Sequence, residues 1–125
     1  MSETPQARAR PLVALVCRAP VVAEALTASL TGICEVMPLC GPVSDLPGLI
    51  HAICPDGVVF DSSIEAARAA ELVGAAGPVL VHVSATDAAV LLLVRGGWQR
   101  RANEASPDEV RNVLASALFQ REAGE

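Results

Sequence analysis

"TDAAVLLLVRGG", residues 86–97, is the stretch on which the fold turns. Its seven successive apolar residues, Ala88 to Val94, carry no polar alternation, so a buried strand and a buried helix fit them equally well. We take residues 86–97 as a helix. That reading leaves "WQRRANEA" (98–105) as a fifth strand, polar and exposed, or as no strand at all.

The segments on either side are plainer. "PVLVHVSA" (78–85) is an apolar strand, the fourth along the chain, and the alanine-rich "SSIEAARAAELVGAAG" (62–77) before it is a helix stopped at Gly77. On the other side, Ser106 as N-cap, Pro107 in the first turn and Glu109 three residues after the cap form a capping box. Val110, Val113, Leu114 and Leu118 then stripe one face of a last helix.

The first half repeats the alternation. "PLVALVC" (11–17) reads as a buried strand, and "APVVAEALTASLTG" (19–32) as a helix with Val22, Leu26 and Leu30 at four-residue spacing and Gly32 as its C-terminal stop. "CEVMPLC" (34–40) is a second strand, placed at a sheet edge because Pro38 lacks a ladder donor. A short helix around Leu49, Ile50 and Ile53 ends at Pro55, and "DGVVF" (56–60) is the third strand. Strand and helix in alternation predict an α/β protein with a doubly wound parallel sheet.

Composition narrows the functions open to such a fold. With 125 residues and 52% hydrophobic content the chain makes one domain, expected over 11–120, with frayed tails at 1–10 and 121–125. No apolar run nears the roughly 18 residues of a membrane span, and "MSETPQARAR" lacks the apolar stretch of a signal peptide, so a soluble cytoplasmic protein is expected. Cys17, Cys34, Cys40 and Cys54 show no C-x-x-C pair, and neither His51 nor His82 has zinc-ligand spacing; reduced core thiols, a core His82 and a His51 on the helix surface or at its boundary are expected, with no metal and no cofactor. A net charge of −5 argues against direct nucleic-acid binding.

Four strings in order resemble the receiver domain of bacterial two-component response regulators, over residues 11 to about 119. "APVVAEAL" is similar to the start of the first receiver helix, "PDGVVFD" to the run that ends on the phosphoacceptor aspartate, "PVLVHVSA" to the fourth strand with its terminal hydroxyl, and "NEASPDEVRNVL" to the entry of the last helix. The resemblance implies a flavodoxin-like fold, a doubly wound, five-stranded parallel sheet in the order 2-1-3-4-5 with helices on both faces, and a phosphorylation site in which two acidic residues and the acceptor hold Mg²⁺ while a hydroxyl and a lysine bind the phosphoryl oxygens. Such charge neutralisation is what phosphoryl transfer requires.

Carried over position by position, the resemblance places Asp61 as acceptor and Ser84 as hydroxyl. Cys17 and Arg18 stand where the acidic pair belongs, so the oxygen ligands of a hard cation are missing. Asn103 stands in the lysine position and Arg100 in that of the reporting aromatic, with Gly96 at the loop glycine. The expected function is therefore a stand-alone pseudo-receiver, not an enzyme, that signals through protein contacts as a homodimer or with another protein, with no membrane and no small-molecule ligand. A residual phosphoacceptor on Asp61 is the alternative, and a flavodoxin-like nucleotide-binding enzyme, without any glycine-rich phosphate loop, is an outsider.

Two local expectations follow. The guanidinium of Arg18 is placed to pair with the carboxylate of Asp61 from the neighbouring strand, against the reading in which Asp61 only caps the next helix. Leu92, Leu93, Arg95, Trp98, Arg100 and Arg101 form a candidate contact patch, against the reading of a solvated loop with one anchoring ring.

Overall fold

The computed structural model describes residues 11–18, 20–39, 45–61, 64–73, 78–84, 89–94, 97–104 and 106–123. The elements run β1 (Leu12–Val16), α1 (Pro20–Leu30), β2 (Glu35–Pro38), α2 (Leu46–Ile53), β3 (Gly57–Phe60), α3 (Ala66–Val73), β4 (Val79–Ser84), β5 (Ala89–Val94), β6 (Gly97–Ala102) and α4 (Pro107–Ala123). They form one α/β unit around a six-stranded mixed sheet ordered β2-β1-β3-β4-β5-β6.

The first four strands are parallel. Their near-continuous apolar character has a direct reading, because a parallel sheet is covered on both faces. Along β1, Val13 and Leu15 enter a core with Leu26 and Leu30 of α1 and Val110 and Leu114 of α4. Ala14 and Val16 enter a second core with Leu46 and Ile50 of α2, Phe60 of β3 and Ala69 of α3. Strand alternation thus feeds two layers of helices, α1 with α4 on one face and α2 with α3 on the other.

Residues 89–94 are the main correction. They form a strand, not part of a helix, and both β5 and β6 run antiparallel to their neighbours, so the expected five-stranded parallel sheet is replaced by a mixed one. Connection length supplies the reason. Only residues 85–88 lie between β4 and β5 and only 95 and 96 between β5 and β6, whereas a parallel crossover needs a dozen residues or more. The two-residue connection followed by glycine was the available hairpin signal. Gly97 has φ +129°, a conformation that L side chains rarely adopt, and it opens β6.

Element ends show the local rules at work. Glu109 N–H donates to Ser106 Oγ at 3.3 Å, as the capping motif predicts. Pro38 sits on β2 at the sheet edge. Helix α2 stops before Pro55, with Cys54 in the left-handed region at φ 53°. Helix α1 ends at Leu30, just before Gly32, which has no positive φ, and the turn closes through bonds from Ile33 N–H and Cys34 N–H to Leu30 O. Helix α4 extends to Ala123, into the segment read as a C-terminal tail, since Gln-Arg-Glu-Ala are good helix formers.

Candidate functional site

In open α/β sheets ligands meet the carboxyl ends of the strands, and four of the expected site residues are delivered there. Cys17 and Arg18 follow β1, Asp61 follows β3, and Ser84 ends β4. Asp61 is 7% exposed and Ser84 8% exposed, so this edge is closed over by the chain around it.

Asp61 and Arg18 do meet, but not as an ion pair of side chains. The main-chain N–H of Arg18 donates to Asp61 Oδ2 at 2.9 Å, while the Arg18 side chain is exposed. The main chain also ties the two ends together, through Asp61 N–H to Val16 O at 3.2 Å. A guanidinium has no need of a buried partner when it can stay hydrated, whereas a buried carboxylate must be given donors.

Sequence reasoning missed the partner of this arrangement at the other end of β3. Asp56 Oδ2 accepts the N–H of Leu12 at 2.9 Å. The two aspartates that flank β3 therefore bracket β1, one at each end, by the same side-chain-to-backbone bond. The signal was legible as "DGVVFD", a strand with a carboxylate at each boundary, where strand-end donors need acceptors.

Cys17 shares the electrostatics of this edge. Burial, and secondarily the negative charge of Asp61, push its thiol from 9.0 up to about 12. It is a protonated, partly buried side chain packed against the α1/α4 core, and its chemistry is that of a small apolar residue rather than of a nucleophile. Of the remaining cysteines, Cys34 is buried as expected, Cys54 is exposed rather than in the core, and residue 40 lies outside the described residues.

Asn103 is not brought to Asp61. The insertion of β5 as an antiparallel strand puts three interstrand spacings, about 14 Å, between β3 and β6, from which Asn103 follows. Asn103 is exposed, and its Oδ1 accepts from Arg100 at 3.5 Å. The chain also has no lysine anywhere, since all nine of its Lys and Arg residues are arginines, so no ammonium can serve a phosphoryl group at this edge. Among the described residues no cluster of three His, Cys, Asp or Glu is placed to hold a metal ion.

The six residues of the candidate patch are divided by strand alternation. Leu92 is buried against the α4 side of the sheet, in the core with Val113 and Leu114. Leu93 and Trp98 oppose each other across β5 and β6 and pack on the other core, with the Trp98 ring edge-on to His82 at 5.9 Å between centroids. Arg100 and Arg101 are exposed on β6, and Arg95 lies outside the described residues, as does Gly96. His82 is a core residue, as expected; one ring nitrogen, Nε2, lies 2.6 Å from Ile64 O, while Nδ1 is buried without a partner.

No helix among the described residues is long and apolar enough to cross a membrane. No family model, curated protein or solved structure matches this chain.

Proposed function

We propose that the chain is a pseudo-receiver: a regulatory module that works by protein contact and does not take up a Mg²⁺-dependent phosphoryl group on Asp61. The observation that carries this reading is the employment of Asp61 as a strand bracket. Its Oδ2 holds Arg18 N–H at 2.9 Å inside a buried edge, in the way that Asp56 holds Leu12 N–H at the opposite end. A phosphoacceptor must instead present an oxygen to an incoming phosphorus with a cation beside it. The order β2-β1-β3-β4 with helices on both faces supports the receiver-like, flavodoxin-like reading of the first four strands, and the β4-β5-β6 meander is where the chain departs from it.

Contact through a second copy has a candidate surface on the last helix. Phe119 is 73% exposed on α4, beside a concavity of about 210 Å³ shared with Pro11, Ile33, Ala115 and Leu118. An exposed aromatic over an apolar hollow is a self-complementary element for a two-fold interface.

Two measurements test the reading. Incubation with acetyl phosphate and Mg²⁺, followed by intact mass, should give no phosphoryl adduct; an adduct removed by Asp61→Asn would establish the residual phosphoacceptor instead. Light scattering should give a dimer that Phe119→Ser converts to a monomer, and a monomeric parent chain would reject self-association.

A further inference from the structure

The sheet ends on β6, which pairs with β5 on one side and has no strand on the other among the described residues. A free antiparallel edge exposes a row of backbone donors and acceptors to which another extended segment can add. Beside it runs a groove of about 270 Å³ between β6 and α4. Leu92, Val113 and Ala117 form its apolar floor, and Arg101, Asn112 and Ser116 its rim.

A bulge sets the polarity of this groove. Leu91 opposes Arg100 and Val90 opposes Ala102, so Arg101 is the extra residue of β6. Such an insertion re-aims a side chain, and here Arg101 lines the groove on the α4 side. Arg100 and Arg101 are both exposed, and neither forms an ion pair among the described residues, in a chain whose net charge is −5.

That charge decides between occupants. Two copies of β6 paired edge to edge would bring two Arg-Arg sequences onto one ladder, and like charges on neighbouring strands repel. A strand bearing carboxylates meets the opposite sign at both arginines. Glu109 also borders the groove, so the carboxylates must sit toward Arg100 and Arg101 rather than toward the start of α4.

We propose that the free edge of β6 and the groove beside α4 bind an extended acidic segment of a partner protein as an added strand, with one apolar side chain on the Leu92–Val113–Ala117 floor and carboxylates at Arg100 and Arg101. This rests on the reading of the chain as a contact module and names the partner's chemistry. Backbone pairing supplies affinity without sequence preference, while the floor and Arg101 select side chains on one face of the added strand and Arg100 selects those on the other. The acidic segment must be extended and unpaired in its own protein, because a strand already in a sheet has no edge to offer.

The test uses the full chain, isotope-labelled, and two short peptides that carry one valine flanked on each side by two glutamates or by two lysines, so that charges stand on both faces of the added strand and reach Arg100 on one face and Arg101 on the other. The glutamate peptide should shift the amide resonances of Gly97–Ala102 and slow their exchange, and the lysine peptide should do neither. The Arg101→Glu variant should weaken the glutamate peptide by roughly tenfold, and the doubly substituted R100E/R101E chain should take the lysine peptide instead. Backbone N-methylation of the glutamate peptide should abolish binding. Equal response to both peptides, shifts confined to other elements, or β6 amides protected in the free protein in a concentration-dependent way would overturn the proposal, the last in favour of a second copy. A phosphoryl adduct on Asp61 would reject the pseudo-receiver reading by a separate measurement and would leave the β6 result standing.

Discussion

Alkaline pH titrates few groups in this chain, and a substitution singles out Cys17 among its four thiols. There is no tyrosine and no lysine, so between about pH 8 and 12 only thiols and the terminal amine titrate. The folded state holds Cys17 protonated up to about 12, mainly through burial and further through the charge of Asp61, while the unfolded chain releases that proton near 9.0. Between these two values the unfolded state binds fewer protons, so stability falls as pH rises, and the contribution is fully present below 9.0. For a fully desolvated group that interval amounts to about 4 kcal/mol. Residue 17 is only partly buried, and solvent screening reduces the expected loss to about 2 kcal/mol overall and about 1 kcal/mol by about pH 10.5. Urea denaturation followed by the fluorescence of Trp98 should show a midpoint that declines from about pH 9 upward, and Cys17→Ala should flatten that decline. Asp61→Asn should flatten it only in part, because burial is the larger cause. Parallel pH profiles for the parent chain and Cys17→Ala would refute the placement of the thiol.

Three further outcomes follow from the geometry. Arg18→Ala should change stability by no more than about 0.5 kcal/mol, because the exposed guanidinium is not what Asp61 holds, whereas Arg18→Pro removes the donor and should cost about 1.5–3 kcal/mol in urea denaturation. Gly57→Val should lower the thermal midpoint by the equivalent of about 1–3 kcal/mol, since a Cβ at Gly57 already comes within 3.3 Å of Leu114 Cδ1 and within 3.5 Å of Val79 O. Cys54→Gly should raise stability by about 1 kcal/mol in the same assay, because it relieves a side chain of the left-handed backbone at φ 53°.

The candidate site was legible in its inventory and not in its bonding. Asp61, Ser84, Cys17 and Arg18 could be placed at one sheet edge because each ends an apolar run, and strand ends of a parallel sheet collect on one side. The contact between Arg18 and Asp61 was expected as well, but its atoms were not. A backbone N–H belongs to every residue except proline, so composition says nothing about which main-chain donor a buried carboxylate will find. Asn103 failed for a different reason: its position was counted along a chain whose sheet gained an unexpected strand.

What the sequence by itself determined is the order of the elements that carry their own signals. The β-branched runs of β1, β3 and β4, the spacing of Leu26 and Leu30, and the cap at Ser106 are short-range patterns that hold in any context. Only the tertiary structure decided what "AVLLLV" becomes, because six unbroken apolar residues satisfy a helix and a strand alike. The choice came from outside the segment, from the free edge of β4 that needed a backbone partner and from connections too short to return the chain for another parallel strand. That choice made β6, with its two arginines, the last strand of the sheet.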